Sequence, residues 1–175
     1  SITASTYGIY SYFTQSDLKI SGTGSLEVKT IAGDPAIATA YDTSRSIIIS
    51  GNGFTVTADT SETTSYAIKS DKDLTITGGA AVTAKSNATR AIDIKGDLTV
   101  TNGSLTATST STKPTVQVGG NATFTGSTVT ITNNSTELHK DATEATKGDS
   151  VSSALYVKGN INITDNANVT AKVEN

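Results

Sequence analysis

The chain of 175 residues contains no cysteine, no methionine and no tryptophan, and only two prolines and one histidine. Without cysteine there is neither thiol catalysis nor a disulfide framework, a state compatible with an exported protein. Aromatic residues are 5% of the total and Arg45 and Arg90 are the only arginines. With a net charge of −3 and no basic cluster, the sequence carries no electrostatic footprint for nucleic acid. No stretch is long and apolar enough to span a bilayer. The hydrophobic fraction, 35%, is small for a thick core but adequate for a slender one.

What the chain does contain is a repeat. Six times a small residue precedes an aliphatic one, an apolar-x-apolar strand follows, and then a Gly/Asn turn leads into a second such strand. The clearest copies are Ala67-Ile68 with Leu74-x-Ile76 and Val82-x-Ala84, and Ala91-Ile92 with Leu98-x-Val100 and Leu105-x-Ala107. Thr115-Val116 with Ala122-x-Phe124 and Val129-x-Ile131 continues the series. Ile68, Ile92 and Val116 are spaced by 24 residues each time. The same pattern runs through Ile9, Leu18 and Leu26, through Ile37, Ile47 and Phe54-x-Val56, and through Leu155, Ile161 and Val169.

A unit this short cannot bury its own apolar face, so it must stack on its neighbours. Within each segment the apolar residues alternate with period two, and Thr, Val and Ile dominate, as strands require. Parallel strands joined by crossovers are nearly always right-handed. The expected fold is therefore all-β: a single-stranded right-handed parallel β-helix of about six coils with three short strands each, one domain over residues 1–175. Ile2-Thr3-Ala4 reads as a copy of Val82-Thr83-Ala84, so the chain begins and ends within a coil and is expected to be a segment of a longer surface protein with flanking domains.

Spacing locates the loops. From the second strand to the third the step is five or six residues, whereas from the third to the next first strand it grows to twenty-six between Val129 and Leu155. Insertions thus gather at one corner, where solenoids place binding groups. Residues 137–152 form the largest, a charged loop.

Three outward rows follow from the repeat. After the first-strand aliphatic stand Tyr10, Ala38, Lys69, Asp93, Gln117 and Tyr156. The second strands present Lys19, Ile48, Thr75, Thr99, Thr123 and Asn162, and the third Glu27, Thr55, Thr83, Thr106, Thr130 and Thr170. Threonine suits an exposed strand position, and flat threonine arrays also form the ice-binding faces of several β-solenoids. The corner before the second strand carries Asp17, Ser46, Asp73, Asp97, Asn121 and Asn160, the last three preceded by glycine, as Asp97 is by Gly96. Glycine at positive φ before an Asx side chain is turn chemistry, and stacked Asx side chains can bond successive coils. The alternative at that corner is a calcium site built from Asp71, Asp73 and Asp97, because calcium takes several oxygen ligands.

Catalytic chemistry finds little support. His139 falls in the charged loop, and the face rows carry only Glu27 and Asp93 as acids, too far separated for a two-carboxylate glycosidase. Lys69 beside Asp93 is the nearest approach to a lyase base and carboxylate. Tyr7, Tyr10, Tyr12, Phe13, Tyr41 and Tyr66 crowd into the first 66 residues. Of these, Tyr7, Tyr10, Tyr41 and Tyr66 are the candidate ligand-binding residues, since a tyrosine ring covers an apolar sugar face while its hydroxyl bonds a sugar hydroxyl.

The runs Ser16–Lys29 (SDLKISGTGSLEVK) and Ala67–Ala84 (AIKSDKDLTITGGAAVTA) resemble repeats of secreted Gram-positive bacterial β-helix proteins of the carbohydrate-binding-domain kind, distantly similar to pectate lyases. The resemblance implies an extracellular or cell-surface location and binding of plant or acidic polysaccharide, in some members with calcium. Expected partners are therefore a polysaccharide or cell-surface glycan, with no nucleic acid and no membrane insertion. No cofactor is required beyond the calcium already considered. A structural adhesin stalk, and a calcium-dependent polysaccharide lyase, are the competing readings.

Overall fold

The computed structural model describes residues 1–12, 16–40, 44–136 and 152–174. Tyr41, Phe13, His139 and all but the last residue of the 137–152 loop lie outside them. Among the described residues there are nineteen strands and no helix, and so none long and apolar enough to cross a membrane.

The strands stack in three parallel sheets. The first-strand sheet joins β2 (Ile9–Ser11), β5 (Ile37–Thr39), β8 (Ile68–Ser70), β11 (Ile92–Ile94), β14 (Val116–Val118) and β17 (Leu155–Val157). The second-strand sheet joins β3 (Leu18–Ser21), β6 (Ile47–Ser50), β9 (Leu74–Thr77), β12 (Leu98–Thr101), β15 (Ala122–Thr125) and β18 (Ile161–Thr164). The third holds β1 (Ile2–Ala4), β4 (Ser25–Thr30), β7 (Thr55–Thr60), β10 (Ala81–Ser86), β13 (Ser104–Ser109), β16 (Thr128–Asn133) and β19 (Asn168–Val173). The chain is a parallel β-solenoid, as the repeat predicts.

Each inward position forms a ladder along the axis. Ile37, Ile68, Ile92 and Val116 pair in register and are fully buried, as are Ile47, Leu74, Leu98 and Ala122. The last coil shows why stacking is obligatory. Its inward-facing Ile161 and Ile163, at the edge of the described stack, are 51% and 52% exposed, whereas their equivalents Ala122 and Phe124 are 0%.

Two register assignments differ from the sequence reading. Val56, not Phe54, pairs with Leu26 and Val82, so the exposed row runs Glu27, Thr57, Thr83 and not through Thr55. Phe54 stands one dyad earlier, at a corner occupied in other coils by Ala80 and Gly103, as the hydrogen bonds from Ala81 N–H to Phe54 O and from Ser104 N–H to Ala80 O show. Its ring is 6% exposed and lies against Gly22, where an added Cβ would come within 3.2 Å. A large apolar residue at a corner position mimics the first residue of a strand, which is why alternation alone misplaced it. Likewise Ile2 pairs with Val28, making it the counterpart of Ala84 and not of Val82.

The tight corner between second and third strands turns through left-handed backbone, at Gly78 (φ 68°) and Gly126 (φ 54°) and, with Asx in that role, at Asn102 (φ 49°). Glycine and Asn tolerate that region where branched residues do not.

Phe124 is the largest fully buried side chain. Its replacement by alanine should cost about 3–5 kcal/mol, measured by urea unfolding, while Thr123→Ala on the outer face of the same strand should change stability by less than about 1 kcal/mol.

Candidate functional site

The corner between third and first strands is held by polar residues that the third strand turns inward. Thr30, Thr60, Ser86, Ser109 and Asn133 are each 0–1% exposed, and Ser86 is in register with both Thr60 and Ser109. Thr30 Oγ1 donates to the carbonyl of Asp34 at 2.8 Å, and Thr60 Oγ1 to that of Ser65 at 2.9 Å. Ser86 Oγ donates to the same Ser65 carbonyl at 2.8 Å, and Asn133 Nδ2 to the carbonyl of Lys113 at 2.9 Å. Buried polar groups must be bonded, and here satisfying them fixes the course of the loops. Two of those loops deliver Asp34 and Tyr66 to the outer edge of the first-strand sheet.

There the structure brings together three of the four predicted tyrosines. Tyr7, Tyr10 and Tyr66 line one cleft of about 250 Å³ with Asp34, Pro35 and Lys69. The rings of Tyr7 and Tyr10 stack with centroids 3.9 Å apart and planes 16° from parallel, and Tyr12 extends the group at 5.6 Å from Tyr10. Lys69 Nζ sits 4.9 Å from the centroid of Tyr66, a cation–π distance. Tyr41 lies outside the described residues. Burial pushes the Tyr7 hydroxyl above its ordinary pKa, and the neighbouring Tyr10 and the Asp34 carboxylate, through charge and hydrogen bonds, raise it further. Tyr7 is a neutral hydrogen-bond donor at neutral pH, as any tyrosine is, and the shift extends that state to higher pH.

A second cleft continues from the first and shares Tyr66 and Lys69 with it. Asp93, Lys95, Gln117 and Lys158 complete its walls, with Gly119 at the base. Register explains the grouping. Lys69, Asp93 and Gln117 pair across β8, β11 and β14, as predicted for the outward row, and Tyr156 follows on β17. Gln117 Oε1 is buried without a hydrogen-bond partner among the described residues. Such a group is costly unless something donates to it.

The Asx corner has a different task. Asp17 Oδ1 accepts the Ser46 N–H (3.0 Å), Asp73 Oδ1 that of Asp97 (2.8 Å), Asp97 Oδ1 that of Asn121 (2.7 Å) and Asn121 Oδ1 that of Asn160 (2.9 Å). Ser46 Oγ donates to Asp73 Oδ2 and completes the series. Each Asx side chain from Asp17 to Asn121 thus bonds the backbone of the next coil, as the stacked-Asx reading expects, and Ser46 bonds the Asp73 side chain instead. The glycines serve this ladder by lacking Cβ, and positive φ is not involved. Gly96 and Gly120 have ordinary negative-φ backbone, but a Cβ on either would fall about 2 Å from the Oδ1 of Asp73 or Asp97. Asp71 is turned elsewhere: it ion-pairs with Lys95 and accepts the Ser44 N–H at 2.9 Å. Among the described residues no three acids or histidines gather as a metal-holding set, so Asp71, Asp73 and Asp97 enter the structure as ladder and ion-pair groups.

The sequence reading missed Asp34, Lys95, Gln117 and Lys158 as site residues. Asp34-Pro35 was readable as a turn, but only the stacking of loop on sheet aims its carboxylate at Tyr7.

Two outcomes follow. Asp97→Asn keeps an acceptor of the same shape, which Asn121 already demonstrates, and should leave stability within about 0.5 kcal/mol, whereas Asp97→Ala should cost about 1–2 kcal/mol; thermal unfolding at low and high calcium would compare them. In ultraviolet titration Tyr7 should ionise above the ordinary tyrosine range. Because its folded pKa is the higher one, the associated stability is complete below the unfolded value and is lost as pH rises through the folded one.

Compared with known proteins, the chain matches no protein-family model, no curated protein and no solved structure.

Proposed function

We propose that this chain is a non-catalytic, extracellular β-helix module that binds polysaccharide along the outer face of its first-strand sheet. The observation that carries this reading is the continuity of the two clefts through Tyr66 and Lys69. From Tyr10 on β2 to Lys158 just past β17 the face crosses five coil-to-coil steps, about 24 Å at the usual strand spacing. That length suits several sugar rings lying parallel to the axis. At one end Tyr7, Tyr10 and Tyr66 offer rigid rings to stack on sugars. Towards the other, Lys69 and Lys158 outnumber Asp93 and favour acidic sugars, while Lys95 is ion-paired with Asp71. Gln117 lines the same cleft between Asp93 and Lys158.

The site is also rigid before any ligand arrives. Part of the ordering cost is met in advance, because Tyr10 stands on a paired strand, Tyr66 on a loop pinned by buried Thr60 and Asp34 on one pinned by Thr30.

Titration of the 175-residue chain with neutral and acidic polysaccharides tests the proposal. Tyr10→Ala and Tyr66→Ala should each weaken binding about ten- to thirtyfold, the equivalent of about 1.4–2 kcal/mol. Lys158→Ala should reduce affinity for acidic polymers only, and added salt should do the same to the unmodified chain. Thr60→Val, which removes one of the two hydroxyl bonds to the Ser65 carbonyl in the Tyr66 loop, should lower both stability and affinity. Absence of binding to every glycan would leave the structural stalk as the better reading, and calcium-dependent release of unsaturated sugars would overturn the non-catalytic one.

A further inference from the structure

The second-strand sheet carries a surface that the glycan groove does not use. On β9, β12 and β15 both outward residues are threonine: Thr75 and Thr77, Thr99 and Thr101, Thr123 and Thr125. Register places each pair directly over the next, with no bulge or slip across the three strands. All six are partly exposed. The array continues through Ser50 on β6 and Thr164 on β18, and Thr164 Oγ1 donates to Thr125 Oγ1 at 3.1 Å. The only charged residue on this face of the sheet is Lys19, two strands away from Thr75.

The result is a two-dimensional grid. Coils repeat at about 4.8 Å and outward residues on one strand at about 6.6 Å, twice the rise per residue. Each point holds one hydroxyl and one methyl on a β-branched side chain whose χ1 has few choices. A flexible or irregular ligand gains nothing from such regularity. A ligand that is itself a lattice meets every point at once, so that weak contacts add without further ordering cost. The coil repeat approaches the shorter oxygen repeat on a prism face of ice, and the strand repeat falls short of the longer one. Methyl groups on the grid order the adjacent water into cages that hydroxyls anchor, and no charge lies within the three strands, the nearest carboxylates being those of Asp73 and Asp97 at the corner before Thr75 and Thr99.

We propose that the threonine grid of β9, β12 and β15 binds ice. The site lies on a different sheet from the glycan groove, so either can fail without the other.

Slow freezing of a solution of the 175-residue chain, followed by assay of the ice fraction, tests this, with thermal hysteresis and crystal shape as second readouts. The unmodified chain should enrich in ice and shape growing crystals. Thr99→Lys and Thr101→Lys, at the centre of the grid, should fall to the level of a non-binding control protein. Thr106→Lys, on the exposed face of β13 in the third sheet, should behave like the unmodified chain. Circular dichroism and melting temperature establish that each variant is folded. Exclusion of the folded, unmodified chain from ice would overturn the proposal, and so would retention of ice binding by both grid variants.

Discussion

Everything in this molecule depends on the stacking of one coil on the next in strict parallel register. A coil of about 24 residues has too little interior to exclude water alone. The apolar side chains of successive coils therefore cover one another along the axis, and loss of that cover is visible at Ile161 and Ile163, half exposed where their equivalents in the preceding coil are sealed. Stacking also settles the backbone, because the N–H and C=O groups of each strand are satisfied by the coils on either side. It dictates composition as well. Most positions that face inward are aliphatic, and the close approach of coils at the Asx corner leaves no room for a side chain at Gly96 or Gly120.

The three corners solve the same problem in different ways. Between second and third strands the chain turns tightly through left-handed residues, so little variation is tolerated. Between first and second strands the Asx side chains bond the next coil's backbone, which couples neighbours. The remaining corner is where length varies, and it is kept in order from inside. Thr30, Thr60, Ser86, Ser109 and Asn133 are polar at positions that other parts of the repeat fill with aliphatics, and their hydroxyl and amide groups take up the carbonyls or hydroxyls of the loops. A repeat can vary in length there because the anchor is supplied by the strand and not by the loop.

Most of the architecture was legible because period-two alternation and stacking report the same thing. The first and second strands of every coil, and the outward row from Tyr10 to Tyr156, are where the spacing put them. The failures at Phe54 and Ile2 share a cause. Alternation fixes which residues face inward but not which inward residue is aligned with which, so an error of two residues preserves the pattern and alters the register. The site was legible in part for a related reason. Tyr7, Tyr10 and Tyr66 lie on or next to strands, and their convergence follows from the repeat. Asp34 is placed by how a loop folds back across a corner, which no periodicity encodes; Lys95 stands at the repeat position just after the first strand, level with Gly119, and Lys158 is set beside Gly119 only because β17 resumes the stack after the long insertion.

The same regularity that builds the core also separates the surfaces by chemistry. On the second-strand sheet the outward residues repeat almost unchanged from β9 to β15, so that face offers one environment many times over. On the first-strand sheet the outward residue changes at every coil, from Tyr10 through Lys69, Asp93 and Gln117 to Tyr156. The scaffold is identical beneath both, and a change at an outward position costs the core almost nothing. Uniform rows suit a partner that is itself periodic, whereas a row that differs at each step can distinguish one end of a ligand from the other. For a chain bound along the axis, the first-strand face therefore defines direction as well as composition, with aromatic stacking at the early coils and cationic contacts at the later ones.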